Sequence, residues 1–238
     1  MFTLRSPWGA RDTPVDPSLG TMRDAYTDQL DAIFEDLAGI SRRVQVAVKD
    51  ATQALMTGDS SIAERVISED AEIDRARERV EDNAFGLLSL QQPVAGDLRT
   101  IVAALRMVAE LERMGDLSVH VAKVARLRVP DVAVPAEIRP TVQRMATVAE
   151  DMVSRVTQVI AGRDVEAAIA LGRDDEEMDQ LRRTSFTELL SDDWSHGVEA
   201  AVDIALLGRY YERIADHAVS VANRVIFVVT GHKPEPAA

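Results

Sequence analysis

Leu30-Asp31-Ala32-Ile33-Phe34-Glu35-Asp36-Leu37-Ala38-Gly39-Ile40-Ser41-Arg42-Arg43-Val44-Gln45-Val46-Ala47-Val48-Lys49-Asp50-Ala51-Thr52-Gln53-Ala54-Leu55 places apolar residues at steps of three and four. Leu30, Ile33, Leu37, Ile40, Val44, Ala47, Ala51 and Ala54 form one seam, which Phe34, Val48 and Leu55 widen into a core-facing stripe. That period is helical, and the stripe is broad enough to be buried against neighbouring helices.

The prolines punctuate the rest. They stand at positions 7, 14, 17, 93, 130, 135, 140, 234 and 236. Long breaker-poor stretches lie between them, and a helix interior tolerates proline least of all residues. Together with Gly58, Gly162 and the segment 192–196, they predict six helices over 23–57, 60–91, 95–128, 138–161, 164–191 and 197–230. Asp59 or Ser60 reads as the cap of the second helix and Asp97 as the cap of the third. Helices of about 30 residues are about 45 Å long, and short turns make them antiparallel neighbours.

The predicted helices repeat. Met56-Thr57-Gly58 ends the first and Ile160-Ala161-Gly162 the fourth. Asp70-Ala71-Glu72-Ile73-Asp74 in the second matches Asp175-Glu176-Glu177-Met178-Asp179 in the fifth. The predicted fold is all-α: two tandem three-helix bundles, over 22–130 and 131–232. Residues 1–21, rich in proline and glycine and without an apolar run, read as a disordered extension and not a signal peptide. Residues 233–238 read as a disordered tail.

Composition narrows the function. The chain has 238 residues, a hydrophobic fraction of 46% and only 4% aromatic residues, which suits a packed-helix core of Leu, Val, Ile and Ala. A net charge of −13 opposes nucleic-acid binding and favours cations or basic protein surfaces. There is no cysteine, hence no disulfide or thiolate site. No stretch reaches the roughly 20 apolar residues of a membrane span.

Two motifs carry the candidate chemistry. Glu112-Arg113-Met114-Gly115-Asp116 and Glu212-Arg213-Ile214-Ala215-Asp216 lie one hundred residues apart. Each sets two carboxylates four apart on one helix face, where like charges destabilise the helix. The steps Val102, Leu105, Ala109, Glu112, Asp116, Val119 and Val202, Ala205, Arg209, Glu212, Asp216, Val219 run the pairs along partly apolar seams. Such carboxylates must protonate, pair with arginine or share a cation. Arg75, Arg77, Arg79, Arg113, Arg182, Arg183 and Arg213 offer the pairing. His120 continues the line of Glu112 and Asp116, and His217 adjoins Asp216. Asp70, Asp74, Asp175 and Asp179 face the motifs if the helices pack as the repeat suggests. Carboxylates with an occasional imidazole suit iron, manganese or zinc. No phosphate loop, nucleophile elbow or His-Glu-x-x-His appears. A chain of this charge, without catalytic motifs or a membrane span, reads as acting through other proteins and not as an enzyme. The alternatives are a carboxylate-bridged metalloenzyme and a metal-free helical scaffold.

Pro93-Val94-Ala95-Gly96-Asp97-Leu98-Arg99 is followed by Leu111-Glu112-Arg113-Met114-Gly115-Asp116, then by Tyr211-Glu212-Arg213-Ile214-Ala215-Asp216-His217-Ala218 and a closing Phe227-Val228-Val229-Thr230-Gly231. Over Met22 to Gly231 this combination resembles the PhoU family. Ala215 stands where the family usually has glycine and Leu117 where it has histidine. The second half opens on Gly197-Val198-Glu199 and lacks the Pro-x-Ala-x-Asp-Leu-Arg turn. The resemblance implies a cytoplasmic homodimer that acts with the phosphate ABC transporter ATPase and a sensor histidine kinase. It would reach the membrane only through these partners and repress phosphate-starvation genes. It implies either a multinuclear transition-metal centre on Glu112, Asp116, Glu212 and Asp216 or a metal-free protein. Asp97, Arg99, Arg113 and Arg213 become candidate partner-contact or regulatory residues.

Overall fold

The structure, a computed structural model, describes residues 17–91, 93, 95–172 and 175–232, with the side chains of 17–25, 90–91 and 175 left out of the description. Its helices are α1 Pro17–Thr57, α2 Ser60–Gln91, α3 Gly96–Arg128, α4 Arg139–Gly162, α5 Val165–Leu171, α6 Asp175–Leu189 and α7 Gly197–Thr230. Residues 1–16 of the expected extension and the expected tail 233–238 lie outside the described residues. The helix does begin before the expected boundary at Met22: Pro17 opens α1, a position where its missing N–H costs nothing.

The seam read from the first helix is the core. Leu30, Ile33, Phe34, Leu37, Ile40, Val44, Val48, Ala51, Ala54 and Leu55 are all buried. α1 packs on α2, α3 and α4, while α7 packs on α3, α4, α5 and α6. The four helices α1, α3, α7 and α4 thus form a ring, with α2 outside α1 and α3 and the α5–α6 pair outside α4 and α7. The two bundles share one continuous hydrophobic cluster. Two buried hydroxyl pairs set the register across it: Ser41 with Thr157 at 2.7 Å, and Thr52 with Tyr211 at 2.9 Å.

α3 and α7 run antiparallel along the line where the bundles meet. Arg99 Nε donates to the Val228 carbonyl at one end, and Arg128 Nε to Asp203 at the other. Between them, His217 Nδ1 lies 2.6 Å from Glu110 Oε2, and the His120 ring stacks on Tyr210.

Two details depart from the expected elements, and one bears them out. The fifth helix is divided in two at Gly172. Glycine costs about 1 kcal/mol in a helix interior, and the acidic run Asp174-Asp175-Glu176-Glu177 is unfavourable inside a helix but favourable in a first turn. Asp59 does cap α2, accepting from the backbone N–H of Ser61 and Ile62. Asp97 does not cap α3, because that helix begins one residue earlier, at Gly96; its charge instead favours the first turn. Among the described residues no helix is long and apolar enough to cross a membrane.

Candidate functional site

Glu112 and Asp116 lie on the flank of α3 that faces α2, and Gly115 between them lets the helices close. A Cβ on Gly115 would stand 3.0 Å from Ile73 Cδ1 and 3.4 Å from Asp70 Oδ1. The structure therefore brings Asp70, Asp74, Glu112 and Asp116 into one cluster. Burial first, then Asp116, Asp74 and Glu112, push the Asp70 carboxyl up to about 6, against the pull of Lys123. Burial and Asp116 likewise push Glu112 up, with Arg77 and Arg113 opposing.

The second half has the same backbone plan and a different answer. Glu212 is buried, with 8% of its surface exposed. Arg182 Nη1 lies 3.2 Å from its Oε1 and 3.3 Å from its Oε2, and Arg209 also binds Oε2. Asp216 lies on the next turn, open to solvent on one side and pressed against the helices on the other. Burial and Glu212 push its carboxyl up, while Arg209 and His217 oppose and Asp179 adds to the rise.

Three paired positions explain the asymmetry. Arg182 is the repeat counterpart of Arg77, one hundred and five residues on. Arg77 donates to Glu81 at 3.1 and 3.3 Å. The counterpart of Glu81 is Phe186, which offers no carboxylate, and Arg182 reaches Glu212 instead. The counterpart of Ala109 is Arg209, which supplies a second guanidinium. Finally Ala215 replaces Gly115, so the close approach that seats Asp70 is particular to the first half.

The remaining candidates divide. Asp179 pairs with Arg183 at 3.6 Å on an exposed face. The Asp175 side chain lies outside the described residues. Neither histidine completes a carboxylate cluster: His120 stacks on Tyr210 at 5.3 Å and His217 is held by Glu110, its Nε2 buried without a hydrogen-bond partner among the described residues. Glu110 and Tyr210 are residues the sequence reading missed, since their roles arise only where α3 meets α7. Arg99 stands over Phe227 and binds the end of α7, so its placement is that of a helix clamp. Arg113 and Asp97 are exposed, and Arg213 is half-buried. A cavity of about 670 Å³ between α1 and α2 has Asp70 at its edge and is lined also by Arg42, Arg43 and Glu69.

The two halves differ in their fitness for a metal. Among the described residues no three His, Asp or Glu side chains converge closely enough to hold an ion as placed. The first cluster nevertheless fits a cation by charge, for burial and the three neighbouring carboxylates together push the Asp70 carboxyl up to about 6. The second does not fit as arranged, because guanidinium groups occupy both Glu212 oxygens.

The strain in the first cluster has a measurable sign. The folded Asp70 carboxyl binds its proton more tightly than the unfolded one, whose ordinary value is 3.8. Stability is therefore lost as pH rises from about 4 to about 6. In a fully buried group the effect would be about 3 kcal/mol; Asp70 is partly solvated, and screening reduces it to about 1 kcal/mol. Asp70→Asn is expected to raise stability at pH 7 by that amount and to flatten the profile between pH 4 and 6. A denaturant titration at both pH values checks this, and an Asn variant less stable at pH 7 would refute it.

The PhoU domain model matches residues 37–125 and 142–225, one copy in each bundle. The chain is 47% identical over 213 residues to the phosphate-specific transport system accessory protein PhoU homolog 2 of Mycobacterium tuberculosis, covering 90% of this chain and 100% of that protein. It is 46% identical over 214 residues to PhoU homolog 1 of Mycobacterium leprae, covering 90% and 96%. The crystal structure of PhoU from Pseudomonas aeruginosa superposes with a TM-score of 0.81 at 27% identity, over 87% of this chain and 100% of that one. With one matched domain in each bundle and end-to-end likeness to these proteins, the chain belongs to the PhoU family.

Proposed function

We propose that this chain is an accessory regulator of phosphate-specific transport and not an enzyme. The observation that carries the reading is end-to-end similarity to proteins named as phosphate transport accessory proteins, at 47% identity over the whole of one of them. On this reading it works in the cytoplasm as a homodimer, between the ATPase of the phosphate transporter and a sensor histidine kinase. It keeps phosphate-starvation genes silent while phosphate is plentiful. Its net charge of −13 suits docking on basic protein surfaces.

Asp70, Asp74, Glu112 and Asp116 would hold a transition metal such as iron, zinc or manganese in the first half. A bound ion supplies positive charge that offsets the repulsion among these carboxylates. The chain's own part is to present two carboxylates from α2 and two from α3, so that occupancy fastens one helix to the other. Glu112→Ala with Asp116→Ala should remove the metal found by elemental analysis and abolish any rise in melting temperature on adding metal. Retention of all metal by that variant would sink the assignment.

The regulatory reading is tested by deleting the gene together with any paralogues. Phosphate-starvation genes should then be expressed in phosphate-rich medium, and the wild-type gene should silence them again. If the genes stay silent in the deletion strain, the reading fails even though the fold stands.

A further inference from the structure

The outer surface of the second bundle, together with the neighbouring end of α3, carries large apolar side chains that the fold leaves uncovered. Leu190 is 83% exposed, Val198 81% and Leu127 73%; Val202, Leu206 and Phe186 are exposed as well. Their positions on the helices place them together. Val198, Val202 and Leu206 step by four along α7. Leu206 lies one turn before both Arg209, which turns toward α6 to share Glu212 with Arg182, and Tyr210, which turns toward α3 to stack on His120. The stripe therefore runs down the middle of the open face of α7.

Phe186 and Leu190 continue the step of four from Arg182, on the flank of α6 that reaches α7. Leu127 lies two turns beyond His120, on the edge of α3 beside α7. The antiparallel registers bring them level: Arg128 of α3 meets Asp203 of α7, and Arg182 of α6 meets Glu212 of α7. Three helices thus contribute to one apolar strip, of a kind that on soluble proteins marks an interaction site.

The strip is a property of this half and not of the fold in general. The repeat counterpart of Leu206 is Arg106, and that of Phe186 is Glu81. The matching face of the first bundle, with Phe85, Leu98 and Val102 exposed, is therefore interrupted by charge. The end of the second strip nearest the turn between α6 and α7 is acidic. Asp192 and Asp193 are exposed in the turn between α6 and α7, and Glu199 and Asp203 both draw on the single guanidinium of Arg128. A second copy of this acidic chain would bring like charge to that rim.

We propose that this strip docks a basic amphipathic helix of a partner protein, its apolar side chains on Val198, Val202, Leu206 and Phe186 and its Lys or Arg residues against the acidic rim. The stripe on α7 spans about 12 Å at 1.5 Å per residue, the length over which a helix presents apolar residues at i, i+4 and i+7. The proposal does not depend on any metal in the first bundle or on the identity of the kinase or transporter.

Trp194 provides the readout. It lies in the turn between Leu190 and Val198, its Nε1 donating to the Gly197 carbonyl at 2.9 Å. With Trp8→Phe as background, Trp194 fluorescence is titrated with a synthetic helix of about 14 residues built from Leu and Lys, Leu at i, i+3, i+4 and i+7. Saturable binding is expected, at least about tenfold tighter than to the same peptide with Glu for Lys. Val202→Asp with Leu206→Asp should weaken binding at least about tenfold, while Val102→Asp in the first bundle leaves it unchanged. Val202, Leu206 and Val102 are all exposed, so circular dichroism and the melting temperature of the aspartate variants should be unaltered, and a folded variant is in hand whatever the binding result. Equal binding by the Val202/Leu206 variant, or an equal loss in the Val102 variant, overturns the proposal. So does sedimentation showing a wild-type dimer that Val202→Asp with Leu206→Asp converts to monomer, since the strip would then be covered by a second copy.

Discussion

Tyr211→Ala is expected to lower the unfolding free energy by about 3–5 kcal/mol, the cost of removing a large aromatic from a packed core. Tyr211 has no exposed surface and is the largest of the fully buried side chains. It lies in α7, while its hydroxyl partner Thr52 lies in α1 at 2.9 Å. Thr52 in turn donates to the Val48 carbonyl at 2.8 Å, so the Tyr211 hydroxyl is the donor of the pair. Burial pushes the phenol far above its ordinary value, and it stays neutral throughout the working range. Tyr211→Phe keeps the ring and loses one hydrogen bond; Thr52 retains its bond to Val48. That variant should cost only about 1 kcal/mol. Equilibrium unfolding in urea separates the two substitutions. Equal losses would mean that the hydroxyl pair and not the packed ring holds α7 to α1.

Removing the two guanidinium groups around Glu212 is expected to cost about 2–4 kcal/mol, close to the cost of orphaning a buried ion. Arg182→Ala with Arg209→Ala leaves Glu212, a buried residue of the wild-type chain, beside Asp216 with no cation bound to either oxygen. Each arginine is itself partly exposed, so either single substitution should cost less than half of the double, the remaining guanidinium turning to both oxygens. If the double variant unfolds at the wild-type denaturant midpoint, the arginines are surface ornaments and the second cluster is as open to a cation as the first.

The stripe from Leu30 to Leu55 is buried as its spacing predicts except at Ala47, which is half-buried; four of the six expected helices stand within one residue of their forecast limits, and the first ends where expected but begins earlier, at Pro17. Both are local: they depend on the 3.6-residue period and on where proline and glycine interrupt it. The expected fifth helix, 164–191, is instead two helices, Val165–Leu171 and Asp175–Leu189, because the period alone does not weigh Gly172 against the helix it interrupts.

The repeat and the two Glu-x3-Asp motifs were equally legible, and so was the family they point to. What the sequence could not decide was which cation each carboxylate meets. Glu81 against Phe186 and Ala109 against Arg209 are visible in the chain as letters, yet their effect depends on α2 lying level with α3 and α6 level with α7. Only that register turns Arg77 to Glu81 and Arg182 to Glu212, and leaves Asp70 pressed against Gly115 among three other carboxylates. The same register assembles Phe186, Leu190, Leu206 and Leu127 from three helices into one apolar strip. Periodicity along one helix determines which face a residue occupies; the face opposite it belongs to residues distant in the chain, and only the packed tertiary structure brings the two together.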